Sequence, residues 1–296
     1  MQSFQPIGFS QQWLPTPLGN MAYYTPTENQ PGSASPDSPL VFIHSLGGGS
    51  SAYEWSHVYP AFAADYQVIA PDLLGWGDSD HPERTYRVSD YLDSLAQLLE
   101  TVAAAPAVVM ATSLTASIVI RLAIKRPELF HQLFLVSPSG YGDFGRDYRL
   151  SIAAQLAGTP GVDRWIYALG AANELAVTSF LANFLFHNPA RITPEMVNAY
   201  LASTQKPKAE YAALASLKGD LCCDLARYMG QLTVPTAFVW GEYSRFSAID
   251  VGRRLAKLTP QVVQLYSVKD AGVLPHLEQP AVVTGLLRGF LKQTAD

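Results

Sequence analysis

The run Leu40-Val41-Phe42-Ile43 is apolar at every position. A strand with one face in water alternates apolar and polar side chains. A strand that is apolar throughout has to be covered on both faces, as inside a parallel sheet. The pattern recurs along the chain. Residues 66–70, 107–111 and 133–136 read as strands, and segments of helical spacing near 53–63, 88–102 and 114–125 lie between them. The alternation resumes with a strand at 236–240, a helix near 248–258, a strand at 262–266 and a helix at 281–292. Strand and helix in strict alternation predict an α/β fold, a mostly parallel central sheet with helices on both faces. Upstream, Gly19-Asn20 reads as a hairpin turn between two edge strands, and the Pro-, Ser- and Gly-rich stretch 25–39 as an exposed loop.

Between about 140 and 232 the rhythm breaks into helical periodicity with no convincing strand. The expected organisation is therefore a core domain of residues 1–139 and 233–296, interrupted by a helical cap of residues 140–232. At 296 residues and 48% hydrophobic, the chain has enough apolar material for both.

Charge narrows the function. The net charge is −5 and no Lys/Arg cluster occurs, which argues against nucleic acid or an anionic membrane surface as partner. The two cysteines, Cys222 and Cys223, are neighbours and cannot bridge with ordinary geometry, so a reducing, cytoplasmic compartment is expected. Residues 1–18 lack a signal-peptide pattern, and no apolar stretch approaches the roughly 20 residues of a membrane span. No H-x-x-x-H, C-x-x-C or clustered carboxylate spacing is present. Gly47-Gly48-Gly49 lacks the lysine of a phosphate loop, so neither metal nor cofactor is expected.

Three segments carry the chemistry. His44-Ser45-Leu46-Gly47-Gly48 follows the third strand. Pro71-Asp72-Leu73-Leu74-Gly75-Trp76-Gly77-Asp78-Ser79 follows the fourth. Gly272-Val273-Leu274-Pro275-His276-Leu277-Glu278-Gln279-Pro280 precedes the last helix. Together they resemble the H-G-x-G-G, P-D-x-x-G-x-G-x-S and G-H-x-x-H-x-E-x-P signatures of the capped α/β-hydrolases, the group that includes epoxide hydrolases and cofactor-free haloperoxidases. The likeness runs from about Gly8 to Lys292. It implies the α/β-hydrolase fold and a site with a nucleophile, an acid and a histidine in that chain order.

The nucleophile position falls on Ser113, within Ala111-Thr112-Ser113-Leu114-Thr115. The acid position, in a pattern resembling W-G-E-x-D, falls on Ser244 of Trp240-Gly241-Glu242-Tyr243-Ser244. The histidine position falls on Val273. A serine carries no charge to support an imidazolium, and a valine cannot accept a proton, so two of the three roles have no occupant. His276 is the nearest substitute base, with Glu242 or Asp270 to orient it. By resemblance, backbone N–H groups of Leu46 and Leu114 would form an oxyanion hole, and His44 would be a structural histidine beside it.

Val273, Leu274, Leu46, Leu114 and His44 are expected around Ser113, roofed by Trp165, Tyr167, Phe180, Phe184 and Phe186. Such a site suits an apolar small molecule held without turnover. Two alternatives stay open at this point: a weak esterase using Ser113 with His276, and a protein-interaction module that kept the fold alone.

Overall fold

The computed structural model describes residues 4–27, 38–146, 148–151, 154–155 and 173–293. Strands β1 (Phe9–Thr16) and β2 (Gly19–Pro26) pair antiparallel over their full length. Pro17 and Leu18 make the turn between them, so Gly19-Asn20 opens β2 instead of forming the turn. Gly19 has φ +130° and faces Asp80, whose Cβ would stand 2.8 Å from any Cβ at this position. The buried strands follow: β3 (Leu40–Ile43), β4 (Val68–Pro71), β5 (Ala107–Thr112), β6 (Phe130–Val136), β7 (Thr236–Gly241) and β8 (Val263–Val268). The sheet order is β1-β2-β4-β3-β5-β6-β7-β8. β2 meets β4 antiparallel, and from β4 to β8 every pairing is parallel. β2 is thus second from the edge, covered by β1.

Alternation within the strands divides the core into two layers. Val41, Ile43, Val109, Ala111, Leu133 and Leu135 face one way, with α1 (Val88–Leu98) and α2 (Ser113–Lys125). Leu40, Phe42, Val108, Met110, Phe134 and Val136 face the other. Every residue of β3 is buried, as the apolar run requires.

Further along the chain are α3 (Glu174–Phe180), α4 (Pro194–Thr204), α5 (Ala209–Lys218), α6 (Ile249–Ala256) and α7 (Pro280–Lys292). α6 lies against β7 and β8 on the same side of the sheet as α1 and α2, with Leu255 in their shared core, and α7 covers the opposite face through Val283, Leu287 and Phe290.

Two helical expectations change. The segment at 53–63 forms two separate 3-10 turns, Ala52–Trp55 and Tyr59–Phe62, because Pro60 has no N–H to continue a helix through Ser56. The helix at 88–102 leaves α geometry after Leu98 and continues as a π turn, Leu99–Ala103. Between β6 and β7 the described residues add no strand to the sheet. An isolated bridge joins Tyr141 to Cys223. Val177, Leu181, Val197 and Tyr200 of that stretch pack on Val273, Leu274 and Leu277. No helix among the described residues is long and apolar enough to cross a membrane.

Candidate functional site

The C-terminal ends of β3, β4, β5, β7 and β8 carry the loops named by the sequence, which is where open α/β sheets place their sites. Ser113 stands at the junction of β5 and α2 with φ +56°. A non-glycine residue held there is strained. The strain turns Ser113 into a cavity of about 300 Å³. The β-branched Thr115, two residues on, does not prevent this sharp turn.

Leu46, Leu114, Val273 and Leu274 line the cavity together with Ser113. Phe180 lines it too. Phe186 is instead fully buried in a neighbouring core, and Phe184 is half-exposed and stacked on Phe246. Trp165 and Tyr167 lie outside the described residues. His44 is not part of the lining. Its Nδ1 bonds the Ser45 carbonyl and its Nε2 accepts the Leu73 amide at 2.9 Å. Both ring nitrogens are thus spent tying the β3 loop to the β4 loop. Burial without a counter-ion lowers its pKa to about 4.

Val273 lines the same cavity as Ser113. Its amide donates to Leu185 O at 2.8 Å and its carbonyl accepts from Ser137 Oγ at 3.2 Å. Glu278 braces the same loop by accepting the Gly272, His187 and Asn188 amides and Arg191. Ser244 is buried with no partner for its Oγ among the described residues, and it is not in the cavity lining.

His276 is fully buried and stacks on Trp55, with ring centroids 4.0 Å apart. Neither ring nitrogen has a hydrogen-bonding partner among the described residues, and it makes no bond to Ser113. Burial lowers its pKa to about 3. The carboxylates that might orient it are engaged elsewhere: Glu242 with Ser267, and Asp270 with Arg191 and His187.

The partner of Ser113 Oγ is one the sequence reading missed, the hydroxyl of Tyr141, at 2.7 Å. Tyr141 is held at φ +58° on the loop after β6. Asp143 organises this loop by accepting Ser139 Oγ, the Gly140 amide and the Leu225 amide. Cys223 and Gly140 exchange backbone contact so closely that a Cβ on Gly140 would lie 2.2 Å from Cys223 O. Burial pushes the Tyr141 hydroxyl above its ordinary range, with the bond to Ser113 acting against this. The available sign in sequence was a hydroxyl-bearing aromatic between two glycines, Gly140-Tyr141-Gly142, just past a parallel strand.

Ser45 also has a partner the motif did not announce. Its amide and Oγ both donate to Glu54, at 2.8 Å each, and Tyr200 of α4 donates to the same carboxylate at 3.0 Å. The residue that replaces the motif's glycine thus lines the cavity with its hydroxyl anchored on Glu54. No acidic, basic or histidine side chain is among the described residues that line it.

A family model described as the alpha/beta hydrolase fold matches residues 38–280, and the chain belongs to that family. It is 28% identical over 258 residues to an uncharacterized hydrolase, YugF, of Bacillus subtilis, covering 86% of this chain and 89% of the relative. It is 22% identical over 256 residues to epoxide hydrolase 4 of Mus musculus, covering 81% and 70%. Among solved structures, a serine hydrolase involved in carbazole degradation superposes with a TM-score of 0.76 at 18% identity, covering 96% of this chain and 99% of the other.

Proposed function

We propose that this protein is a non-hydrolytic member of its family that holds an apolar small molecule in the cavity above Ser113. The observation that carries the reading is the partner of Ser113. Its hydroxyl meets a tyrosine hydroxyl, with a valine in the adjacent wall where the family resemblance implies a histidine. A neutral tyrosine of raised pKa does not take a proton from serine, so Ser113 stays a weak nucleophile. In known triads, loss of the base alone costs about 10⁴- to 10⁶-fold in rate. The lining, Leu46, Leu114, Phe180, Val273 and Leu274 with few polar groups, has the character of a small-molecule pocket.

The test pairs two readouts. Nile red or a comparable apolar dye should bind with raised fluorescence and raise the melting temperature, while a fluorophosphonate should leave Ser113 unlabelled. Covalent labelling at Ser113 would overturn the proposal. It would support the second reading, a weak esterase, which the retained strain at Ser113 favours.

A further inference from the structure

We infer that the cavity selects an apolar molecule carrying an aromatic ring, and that an arc of aromatic side chains leading from Ser113 to the surface receives that ring. The inference rests on the proposed binding function and names the ligand class for that same site.

The arc is a chain of ring contacts between residues far apart in sequence. Tyr148 packs on Tyr141 with centroids 5.7 Å apart, and Tyr141 meets Phe246 edge-on at 6.3 Å. Phe246 lies nearly parallel to Phe184 at 5.9 Å, and Phe184 packs on Phe180 at 5.8 Å. Every spacing is within the range in which aromatic rings attract through their quadrupoles. Four of the five rings, Tyr148, Tyr141, Phe246 and Phe180, line the cavity. Three separate segments supply them: the stretch after β6, the loop after β7, and the end of α3 with the turn that follows it.

One end of the arc is tied and the other is open. The Tyr141 hydroxyl is bonded to Ser113 at 2.7 Å. Phe246 and Phe184 remain 43% and 47% exposed although they stack on each other. Aromatic surface is thus left in water beside an apolar chamber, and a ring seated against Phe246 would bury part of it. Leu46, Leu114, Val273 and Leu274 offer aliphatic contact, which an alkyl group satisfies as well as an aromatic ring does. The arc adds what an alkyl group cannot match, quadrupole attraction in offset or edge-on contact on top of the area buried.

The experiment measures displacement of bound Nile red by n-butylbenzene and n-butylcyclohexane, in the wild type and in Tyr148→Leu/Phe246→Leu. The two compounds share a carbon skeleton, and the saturated one is the more strongly expelled from water, so an aliphatic wall ranks it first. The wild type should reverse that rank and bind n-butylbenzene about fivefold more tightly, the effect of one or two ring contacts. The variant should restore the rank, with n-butylcyclohexane bound equally or more tightly. The readout is a ratio of affinities in one protein, so general loosening of the cavity by the leucines does not enter. Equal affinities in the wild type overturn the inference, as does an aromatic preference that survives in the variant. Either result leaves the apolar-binding function standing. Failure of both compounds to displace the dye from the wild type would overturn the inference and that function together.

Discussion

At the residue scale the site is defined by what each polar atom is bonded to. His276 has two buried nitrogens without partners among the described residues and a stacking contact with Trp55. Replacement by phenylalanine keeps the stack and removes the unpaired atoms, so His276→Phe should raise stability at pH 7.5 by about 1 kcal/mol in urea unfolding. A loss of 2 kcal/mol or more would show that the imidazole makes a necessary bond. The pH dependence has a defined sign. His276 is held at about 3 and His44 at about 4, both below the ordinary value of about 6.5. Between those limits the unfolded chain binds protons that the folded chain refuses. Their contribution is complete above about pH 6.5 and is lost as the pH falls. Asp72, raised to about 6 by burial, acts oppositely, stabilising at low pH and fading as the pH rises through 6. His276→Phe should therefore lose less stability than the wild type between pH 7.5 and pH 5.

At the element scale, the loops after β5, β7 and β8 deliver Ser113, Ser244 and Val273 in the chain order of a nucleophile, an acid and a base. The strand ends are in place, and on the proposed reading Ser244 and Val273 supply neither an acid nor a base. Val273→His with Ser244→Asp and Tyr141→Phe should then raise hydrolysis of a p-nitrophenyl ester at least tenfold, since a positioned base supplies about 10²- to 10⁴-fold. No gain from a folded triple variant would mean that these loops no longer aim at one point. The same loops depend on close backbone approach. A Cβ on Gly272 would lie 2.3 Å from Leu185 O, so Gly272→Ala should destabilise by about 3 kcal/mol in urea unfolding. A change below 1 kcal/mol would show that the Leu181–Leu185 turn moves aside freely.

At the scale of the whole molecule, the sheet was readable because its signal is local. An apolar run such as 40–43 demands cover on both faces wherever it falls, and the helices that provide the cover announce themselves by spacing. The identity of Ser113, Leu46, Leu114, Val273 and Leu274 as neighbours was readable from motif position. The bond from Ser113 to Tyr141 was not, because it joins residues 28 apart through a loop shaped by Asp143 and Cys223. Nor was the Glu54 anchor of Ser45, which needs Tyr200 from a distant helix. His44 was expected at the cavity and is not in its wall, since its hydrogen bonds run to backbone groups that no side-chain pattern reveals.

The central claim, a cavity that binds without turnover, meets its most direct test in the hydrolysis of p-nitrophenyl butyrate by the wild type and Ser113→Ala side by side. Equal rates are expected, both at the buffer background. A wild-type rate a hundredfold or more above that of Ser113→Ala would contradict it and make Ser113 a working nucleophile.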